Sequence, residues 1–394
     1  MKRTPLLVAA LCAAVGLSTG AAGAAPAGTS SPVDLVRRDA DAIVADGAPG
    51  VVARVDTARG GVEVRSGLGD LAARTPVPRD AHFRFGSFTK TFVATTVLHL
   101  VGEGRLSLED TVDRWLPGVV TGNGHDGRGI TVRQLLQHTS GLPDFVVKLP
   151  RLFKEDDFLR TRFDTMTAAE GVRLGLSRPP DFEPGRGWSY SNTNYLLAGM
   201  VIEAVTGRTW QQEVTARVLR PLGLRDTSAP HTSPFLPHPH AKGYDMFAEK
   251  GIDMDPEDPR WGGRVDVTLL NPSIAGAAGA MTGTAADGTR FLRALLGGEV
   301  LEPAQLAELK RTVPTPEAGE GTRYGLGVEW RPTPCGGAWS HGGTAHGYLT
   351  LNGTTENGER AVVVSVNSRT PWHPDGPPKA VPNTIIDHAL CGGR

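Results

Sequence analysis

Strand-like segments lie at both ends of this chain, and helix-like segments fill its middle. Near the start, residues 50–55 and 62–67 form two apolar runs joined by a glycine-containing turn, which is typical of a β-hairpin. Four segments near the end also have strand patterns: 324–330, 336–340, 346–351 and 361–366. Helical periodicity marks the segments 33–45, 87–101, 131–138, 195–204 and 284–296. The layout predicts an α+β fold, in which an antiparallel sheet flanked by helices is built from both chain ends and an all-helical subdomain is inserted.

The length of the chain allows two lobes or one large domain. We expect residues 32–110 and 275–394 to form a sheet-plus-helix domain, and residues 111–274 to form the helical subdomain. Within the latter, the segment 230–263 is rich in Pro, His and Asp and is expected to be a long surface loop.

Residues 1–25 have the pattern of a secretory signal peptide. Lys2 and Arg3 provide the charged start, and residues 6–17 form an apolar stretch shorter than the roughly 20 residues that a membrane-spanning helix needs. Small residues follow, among which Ala22-Gly23-Ala24 fits an Ala-x-Ala cleavage site. We therefore expect a secreted protein that has no membrane partner after the signal is removed.

Two cysteines, Cys335 and Cys391, remain in the expected mature chain. In an oxidising compartment an even pair indicates one disulfide, which would tie the C-terminal tail to the strand region around residue 335. By loop entropy such a bridge contributes about 4 kcal/mol to stability. The alternative is a pair of free thiols.

Charge and motif content exclude several classes of function. The formal net charge is -1 and no basic run stands out, so nucleic acid is not expected as a partner. The sequence has no His-Glu-x-x-His, and His238-Pro239-His240 lacks a third ligand, so no metal is expected. The Gly-x-Ser-x-Gly and Gly-x-x-x-x-Gly-Lys motifs are also missing. We expect a monomer without a cofactor.

A Ser-x-x-Lys tetrad, Ser87-Phe88-Thr89-Lys90, stands at the start of an apolar helical run. Residues three apart share a helix face, so the amine of Lys90 can reach the hydroxyl of Ser87. A serine becomes a good nucleophile when a neighbour takes its proton, and the pair therefore indicates acyl transfer through an acyl-serine. The alternatives are a solvated polar pair and a helix cap, a role that Ser87 could fill.

A second candidate element is the segment from Trp188 to Asn192. Tyr190 and Asn192 flank one residue, so both side chains can point into one cleft. We expect Tyr190 to relay protons once its pKa is lowered by the positive charge of Lys90. The amide of Asn192 both donates and accepts, which suits a substrate amide, and Trp188 is a further candidate for substrate binding. The alternative is a polar turn before a helix.

The third candidate element covers residues 340–348 and contains His341, Gly343 and Thr344. Glycines in a strand often mark the close approach of a backbone or a ligand, and a bare strand edge can pair with an extended substrate. The backbone N–H groups of Ser87 and Thr344 are candidates for an oxyanion hole. The alternative is a glycine-rich hairpin with solvent-facing histidines.

In this order, the motifs Ser-x-x-Lys, Tyr-Ser-Asn and His-x-Gly resemble those of the penicillin-recognising serine hydrolases. The similarity is to the branch that holds class C β-lactamases, secreted D-alanyl-D-alanine carboxypeptidases and related esterases. It covers nearly all of the expected mature chain and includes the segments 134–143, 183–185, 276–291 and 324–327. The resemblance implies the β-lactamase/transpeptidase-like fold, and Cys335 and Cys391 match cysteines of the secreted carboxypeptidases.

Carried over to this chain, the resemblance implies a nucleophile and its proton acceptors. Ser87 attacks the substrate carbonyl, and Lys90 removes or positions the proton of Ser87. Tyr190 then passes protons to the leaving group and activates water for deacylation.

The resemblance also implies the groups that hold the substrate. Asn192 binds the substrate amide, and His341 lies beside the catalytic phenol and tunes the local field. Gly343 and Thr344 shape the strand, and the backbone N–H groups of Ser87 and Thr344 stabilise the oxyanion.

The chain departs from the family pattern around this strand. The β-lactamases of this branch usually have Lys at the position of His341. Carboxypeptidases often have Thr at the position of Gly342, together with an Arg on the adjacent strand that grips a free carboxylate. Here the adjacent strand carries Glu329, with Arg331 two positions on as the alternative cation. These departures favour an ester, an amide or an N-terminal D-amino-acid peptide over a substrate with a terminal carboxylate.

The sequence therefore predicts a secreted serine hydrolase that forms an acyl-enzyme on Ser87. The first prediction is a peptidase of the D-alanyl-D-alanine carboxypeptidase type that acts on a small peptide. An esterase, or a D-aminopeptidase or amidase, of the same family is the next alternative. A β-lactamase acting on β-lactams and a non-catalytic protein that binds penicillin or peptidoglycan are the others.

Overall fold

The computed structural model describes residues 31–149, 152–247, 263–315, 320–369 and 382–392. The predicted signal peptide, residues 1–25, lies outside the described residues, as does much of the predicted loop at 230–263. Across the described ranges, every helix is too short or too polar to cross a lipid bilayer.

Helices flank the strands at both chain ends and dominate the middle of the chain. In chain order they are α1 (Pro32–Ala45), α2 (Thr89–Gly102), α3 (Val112–Trp115), α4 (Val132–Gln137), α5 (Glu155–Thr161), α6 (Ala168–Gly175), α7 (Asn192–Thr206), α8 (Trp210–Val214), α9 (Arg220–Leu222), α10 (Ala285–Leu296), α11 (Pro303–Leu309) and α12 (Pro382–Cys391). The five helices that the periodicity predicts correspond to α1, α2, α4, α7 and α10.

The strands are concentrated near the two ends of the chain. In order they are β1 (Gly50–Thr57), β2 (Gly60–Asp70), β3 (Thr75–Pro76), β4 (Phe83–Arg84), β5 (Thr121–Gly122), β6 (His125–Asp126), β7 (Tyr244–Asp245), β8 (Val265–Asp266), β9 (Thr282–Gly283), β10 (Val313–Pro314), β11 (Arg323–Tyr324), β12 (Glu329–Thr333), β13 (Gly336–Ser340), β14 (Gly343–Ala345), β15 (Tyr348–Thr355) and β16 (Ala361–Val366). In the described part of the chain, the main sheet has ten strands in the order β10-β11-β12-β13-β15-β16-β1-β2-β3, with β14 paired to β15.

The two chain ends meet at the centre of this sheet. Strands β1 and β16 pair antiparallel, with Val51 opposite Val366. On β16, Val364 and Val366 pack in the core with α1 and α12, whereas Val363 lies in the core on the opposite face. Because successive side chains of a strand point to opposite faces and both faces are covered, β16 is buried along its whole length and apolar except for Ser365. The predicted α+β fold, an antiparallel sheet built from both ends and flanked by helices, is confirmed.

The described part of residues 111–274 carries α3 to α9 and also two short antiparallel ladders, β5 with β6 and β7 with β8. The prediction of an all-helical segment missed these ladders, which contain only two residues per strand. One hydrophobic core includes Leu196 of α7, Phe291 of α10 and Val363 of β16, so the middle and the ends of the chain share it. The exact domain boundaries stay a prediction.

Local differences from the predicted elements follow from turns. The strand predicted from residue 346 begins at Tyr348, because His346 and Gly347 make the turn between β14 and β15. Gly347 has a φ of 78°, which a residue with a side chain rarely adopts. The predicted capping role of Ser87 is wrong: Ser87 lies inside a 3-10 turn, and the helix that follows has Phe88 at its N-cap.

The predicted disulfide between Cys335 and Cys391 is present, with the two Cα atoms 5.4 Å apart. Cys335 lies in the turn between β12 and β13, and Cys391 is the last residue of α12. The bridge therefore fastens the C-terminal helix to the sheet.

Candidate active site

One cleft of about 560 Å³ collects most of the side chains predicted from the sequence. The predicted site residues at its wall are Ser87, Trp188, Tyr190, Asn192, His341, Gly343 and Thr344. Lys90 is fully buried and lies behind Ser87. Three segments that are far apart in the sequence therefore meet at one place.

A base of aromatic rings holds Ser87 at the cleft. Phe85, Phe88 and Phe92 are fully buried around the start of α2, and Phe92 stacks on Phe291 of α10 with 3.8 Å between ring centroids. Close packing of this kind restricts movement of the backbone that it supports. Ser87 itself is only half-buried and so reaches the cleft.

The amine of Lys90 has three polar partners. Its Nζ lies 3.0 Å from Ser87 Oγ and 2.7 Å from Asn192 Oδ1. The carbonyl oxygen of Ala278 is also 2.7 Å away. The amide and carbonyl oxygens only accept hydrogen bonds, whereas a hydroxyl can also donate. A neutral amine fits this set, because it can donate to both oxygens and accept the proton of Ser87.

The electrostatic environment favours that neutral form. Burial lowers the pKa of Lys90 to about 7, and the negative charge of Asp144 acts in the opposite direction. A lysine amine near this pKa is partly unprotonated at neutral pH. Lys90 can therefore serve as the base for Ser87, as an activated nucleophile requires.

Tyr190 lies at the other side of the nucleophile. Its side chain lines the cleft together with Ser87, and its ring centroid is 4.9 Å from Lys90 Nζ. We expected the charge of Lys90 to lower the pKa of this phenol, and that expectation is wrong. Withdrawal from water raises the pKa of Tyr190 well above its usual value, because burial disfavours the phenolate. Tyr190 is therefore a protonated phenol, and it can relay a proton by giving one up as it receives another.

Asn192 stands at the start of α7 and links the side chains of Lys90 and Asp144. Its Oδ1 accepts from Lys90, and its Nδ2 donates to Asp144 Oδ2 at 2.8 Å. An amide nitrogen has two hydrogens, so one remains for the predicted substrate contact. Asp144 is a residue that the sequence analysis missed, although it follows the segment 134–143 that carries part of the family resemblance.

His341 is buried at the cleft wall and uses both ring nitrogens. Its Nδ1 lies 2.7 Å from the carbonyl oxygen of Gly342, which can only accept, so Nδ1 carries the proton. Its Nε2 lies 2.8 Å from the hydroxyl of Tyr324 and accepts from it. Burial, together with the charge of Lys90, lowers the pKa of His341 to about 3. His341 is therefore neutral and contributes no charge, and Tyr324 is a second residue that the sequence analysis missed.

A second buried histidine, His138, packs against the phenol of Tyr190 more closely than His341 does. Its ring centroid is 4.4 Å from that of Tyr190, compared with 6.3 Å for His341. The backbone N–H of Ser191 donates to His138 Nδ1 at 3.2 Å. His138 thus holds the turn that presents Tyr190 and Asn192. The signal that the sequence offers is its place in the family-like segment 134–143.

Strand β14 lies directly against the turn that bears Ser87. A Cβ atom added to Gly86 would come within 2.8 Å of the backbone nitrogen of Thr344, and one added to Gly343 would collide with the carbonyl oxygen of Phe85. Only glycine allows the two backbones to approach this closely. The oxyanion hole formed by the N–H groups of Ser87 and Thr344 stays a prediction that this proximity supports.

The cation proposed as an alternative carboxylate ligand points elsewhere. Arg331 pairs with Asp387 of α12, with 2.7 Å between its guanidinium nitrogen and the carboxylate oxygen. Glu329 lines the cleft instead. Over the ranges that the structure describes, no group of three or more His, Cys, Asp and Glu side chains could hold a metal ion.

Comparisons with known proteins give consistent matches. The family description Beta-lactamase matches residues 36–380. The chain is 32% identical to esterase EstB of Burkholderia gladioli over 299 residues, which are 70% of this chain and 69% of the esterase. It is 31% identical to penicillin-binding protein 4 of Amycolatopsis lactamdurans over 262 residues, 64% of this chain and 62% of that protein. The chain thus spans less than two thirds of the length of that penicillin-binding protein.

A solved structure matches more completely. The crystal structure of a D-stereospecific amidohydrolase from Streptomyces sp. superposes on this chain with a TM-score of 0.82 and 38% sequence identity. The match covers 91% of this chain and 99% of the amidohydrolase.

Proposed function

The chain belongs to the beta-lactamase family of serine hydrolases, and within that family we propose that it hydrolyses amides of D-amino acids through an acyl-enzyme on Ser87. The observation that carries the chemistry is the buried amine of Lys90, whose Nζ lies 3.0 Å from Ser87 Oγ. The substrate class is supported by the similarity to the Streptomyces D-stereospecific amidohydrolase over nearly the whole chain.

In the acylation step, the neutral amine of Lys90 takes the proton of Ser87 while Oγ bonds to the substrate carbonyl carbon. The backbone N–H groups of Ser87 and Thr344 are the proposed donors to the oxyanion. Tyr190 gives its phenolic proton to the leaving nitrogen as the carbon–nitrogen bond breaks, and the proton now on Lys90 restores the phenol. The products of this step are the acyl-enzyme and a free amine.

Deacylation runs through the same groups in reverse. Water takes the place of the departed amine beside Tyr190 and loses a proton to Lys90 through the phenol. The hydroxide adds to the acyl carbon, the bond to Ser87 Oγ breaks, and Oγ recovers the proton. The carboxylic acid leaves, and Lys90 is neutral again.

The residues of the cleft give less support to the predicted carboxypeptidase activity. A terminal carboxylate needs a cation or several donors, since burying an unpaired charge is costly. Gly342 offers no hydroxyl, and Arg331 is engaged by Asp387. Amides of single amino acids and simple esters do not place a carboxylate beside His341, so they fit this part of the cleft better.

An esterase is the second candidate, and the similarity to esterase EstB favours it. The same acyl-enzyme forms from an ester, and an alcohol departs instead of an amine. An ester needs less help from Tyr190, because an alkoxide is a better leaving group than an amide anion. Activity that survives removal of the phenol would therefore favour the esterase.

The deciding experiment compares D- and L-phenylalanine amide, measured by ammonia release. We expect wild-type protein to release ammonia from the D-amide preferentially, Ser87→Ala to lose this activity, and the exposed-site variant Ser233→Ala to retain it. Intact-protein mass spectrometry after rapid quenching should show the acyl group on Ser87. The proposal is wrong if the protein does not hydrolyse the D-amide but rapidly hydrolyses another substrate. A p-nitrophenyl ester would then indicate the esterase, a D-Ala-D-Ala peptide the carboxypeptidase, and a chromogenic β-lactam the β-lactamase. An unmodified, inactive protein that still binds penicillin would indicate the non-catalytic alternative.

We also propose export through the signal peptide at residues 1–25 and a monomeric state. Export is tested by N-terminal sequencing of protein recovered from the culture medium, where a start close to residue 25 is expected. Light scattering of the purified mature protein tests the monomer, and a mass that is a multiple of the chain mass would overturn it.

A further inference from the structure

The catalytic cleft runs along one continuous stretch of chain that comprises β13, the link His341-Gly342 and β14. At the end of β13, Ser340 pairs with Glu329 of β12, so that Glu329 lies beside the residue that precedes His341. Further along, Gly343 packs against the turn that carries Ser87. Successive strand residues are about 3.3 Å apart, so Glu329 marks one half of the cleft and the residues after Thr344 mark the other.

The proton donor identifies the half that receives the leaving group. Tyr190 lines the cleft together with Ser87, and its ring centroid lies 6.3 Å from that of His341. Glu329 lies opposite Tyr324 in the pairing of β11 with β12, and the hydroxyl of Tyr324 donates to His341 Nε2, so this carboxylate lies on the His341 side of the cleft. The group that takes the proton of Tyr190 therefore departs into the half beside Glu329.

Glu329 has no partner that neutralises it among the residues the structure describes. The nearest cation on its own strand, Arg331, is bound to Asp387 and weakens rather than cancels the effect of burial. The side chain of Glu329 is partly buried and faces the cleft. Burial raises the pKa of Glu329, which shows that its charged form is poorly solvated. A bound cation would supply the missing counter-charge.

We propose that Glu329 determines specificity for the leaving group, and that it selects leaving groups that carry an ammonium or guanidinium a few bonds from the scissile nitrogen. A leaving group with a carboxylate is rejected at the same place, because two carboxylates would share a poorly solvated site. The inference rests on the proposed serine hydrolase chemistry and adds the class of the departing amine. Glu329 acts on the bound substrate and takes no part in the transfer of protons.

The test uses three amides of D-phenylalanine whose leaving amines have similar length. They are n-pentylamine, which is neutral, 1,4-diaminobutane, which keeps one positive charge, and 4-aminobutanoate, which is negative. A hydrogen bond between charged groups changes kcat/KM by about 10- to 100-fold. We expect wild-type protein to prefer the diaminobutane amide to the pentylamide by that factor, and to process the aminobutanoate amide most slowly.

Variants separate the role of the charge from general damage. Glu329→Gln should bring the three rates close together, and Glu329→Lys should favour the aminobutanoate amide. The exposed carboxylate of Glu299 provides the matched control, and Glu299→Gln should keep the wild-type ranking. A wild-type ranking that Glu329→Gln leaves unchanged would overturn the inference.

Two further measurements distinguish a failure of this inference from a failure of the proposed function. Esters of D-phenylalanine with the corresponding neutral, cationic and anionic alcohols reveal the ranking if amides are not cleaved. The Ser87→Ala variant binds the intact amides without turnover, and calorimetry then compares their affinities directly. Equal affinities for the cationic and neutral compounds would contradict the inference even where hydrolysis confirms the amidase.

Discussion

The carboxylate of Asp144 and the amine of Lys90 are joined through one amide, that of Asn192. The Nδ2 of this amide donates to Asp144 Oδ2 at 2.8 Å, and its Oδ1 accepts from Lys90 Nζ at 2.7 Å. The amide is thereby oriented, and Lys90, the proposed base, is under the influence of a carboxylate on the loop after α4.

This relationship predicts how the pH profile responds to Asp144→Asn. Lys90 acts as a base only when it is neutral, so kcat/KM rises with pH through the pKa of Lys90, which is about 7. The charge of Asp144 favours the protonated amine and raises that pKa. Removing this charge lowers the pKa of Lys90, so the rising limb of the plot of kcat/KM against pH should move to lower pH. The exposed-site variant Asp156→Asn is the control, and a limb that moves to higher pH would contradict the prediction.

Replacing the base itself should stop acylation without unfolding the protein. Lys90→Met removes the acceptor for the proton of Ser87, and loss of a general base costs about 10²- to 10⁴-fold in rate. Met is an apolar residue of similar length, but Asn192 Oδ1 and the carbonyl oxygen of Ala278 lose their buried donor, which costs about 1–3 kcal/mol for each unpaired acceptor. Thermal unfolding should therefore move to a lower temperature but stay cooperative, while kcat/KM for the D-amide falls by the factor given above. Wild-type rates of acyl-enzyme formation in this variant would show that another group activates Ser87.

Each of the three elements of the site could be predicted because the residues within one element lie close together in the sequence, although the elements themselves are far apart. Ser87 and Lys90 are three residues apart, and the start of a helix brings them to 3.0 Å. The contribution of Asp144 could not be predicted in the same way, since it meets Asn192 from 48 positions away through the packing of α4 against α7.

The direction of the pKa shift of Tyr190 also could not be predicted, because it depends on contacts between distant parts of the sequence. Its positive neighbour is visible in the sequence, but its burial depends on the packing of His138 and other rings from distant segments. Desolvation outweighs the nearby charge, which reverses the expected shift. The strand pattern likewise predicted that Glu329 and Arg331 lie on one face of the strand. In the structure the guanidinium of Arg331 pairs with Asp387 of α12 instead of facing the cleft.

Removal of the hydroxyl of Tyr324 should destabilise the protein. This hydroxyl donates to His341 Nε2 at 2.8 Å, and both side chains are buried. Tyr324→Phe leaves an acceptor without a donor in a buried place, at a cost of about 1–3 kcal/mol in the free energy of unfolding. Denaturant titration measures this loss. An unchanged unfolding free energy would show that water replaces the hydroxyl.

The disulfide should contribute to stability and not to catalysis. Cys335 and Cys391 are 56 positions apart. Closing a loop of that length reduces the entropy of the unfolded chain, which raises the free energy of unfolding by about 4 kcal/mol. The double variant Cys335→Ser/Cys391→Ser should therefore unfold at lower denaturant concentration, while kcat/KM at 25 °C stays near that of wild type. A reducing agent should have the same effect on wild-type protein and none on the variant. A large loss of activity with native stability would contradict this separation.

The contact between β14 and the turn that carries Ser87 predicts that replacing two neighbouring glycines by alanine will reduce kcat to very different extents. A Cβ atom at Gly343 would collide with the carbonyl oxygen of Phe85, whereas at Gly342 the nearest neighbour would be the carbonyl oxygen of Thr350 at 3.5 Å, an ordinary contact. Neither the strand nor the turn can absorb the collision without moving Thr344 relative to Ser87. A displacement of about 1 Å at a reacting centre costs on the order of 100-fold in rate.

Gly343→Ala should therefore reduce kcat by about that factor, and Gly342→Ala should reduce it far less. Both changes add one methyl group to the same stretch of chain, so helix or strand propensity cannot account for a difference between them. Steady-state kinetics with the D-amide, alongside thermal unfolding of each variant, provides the comparison. Equal losses of kcat in the two variants would show that the close approach of the two backbones does not control the position of the oxyanion donors.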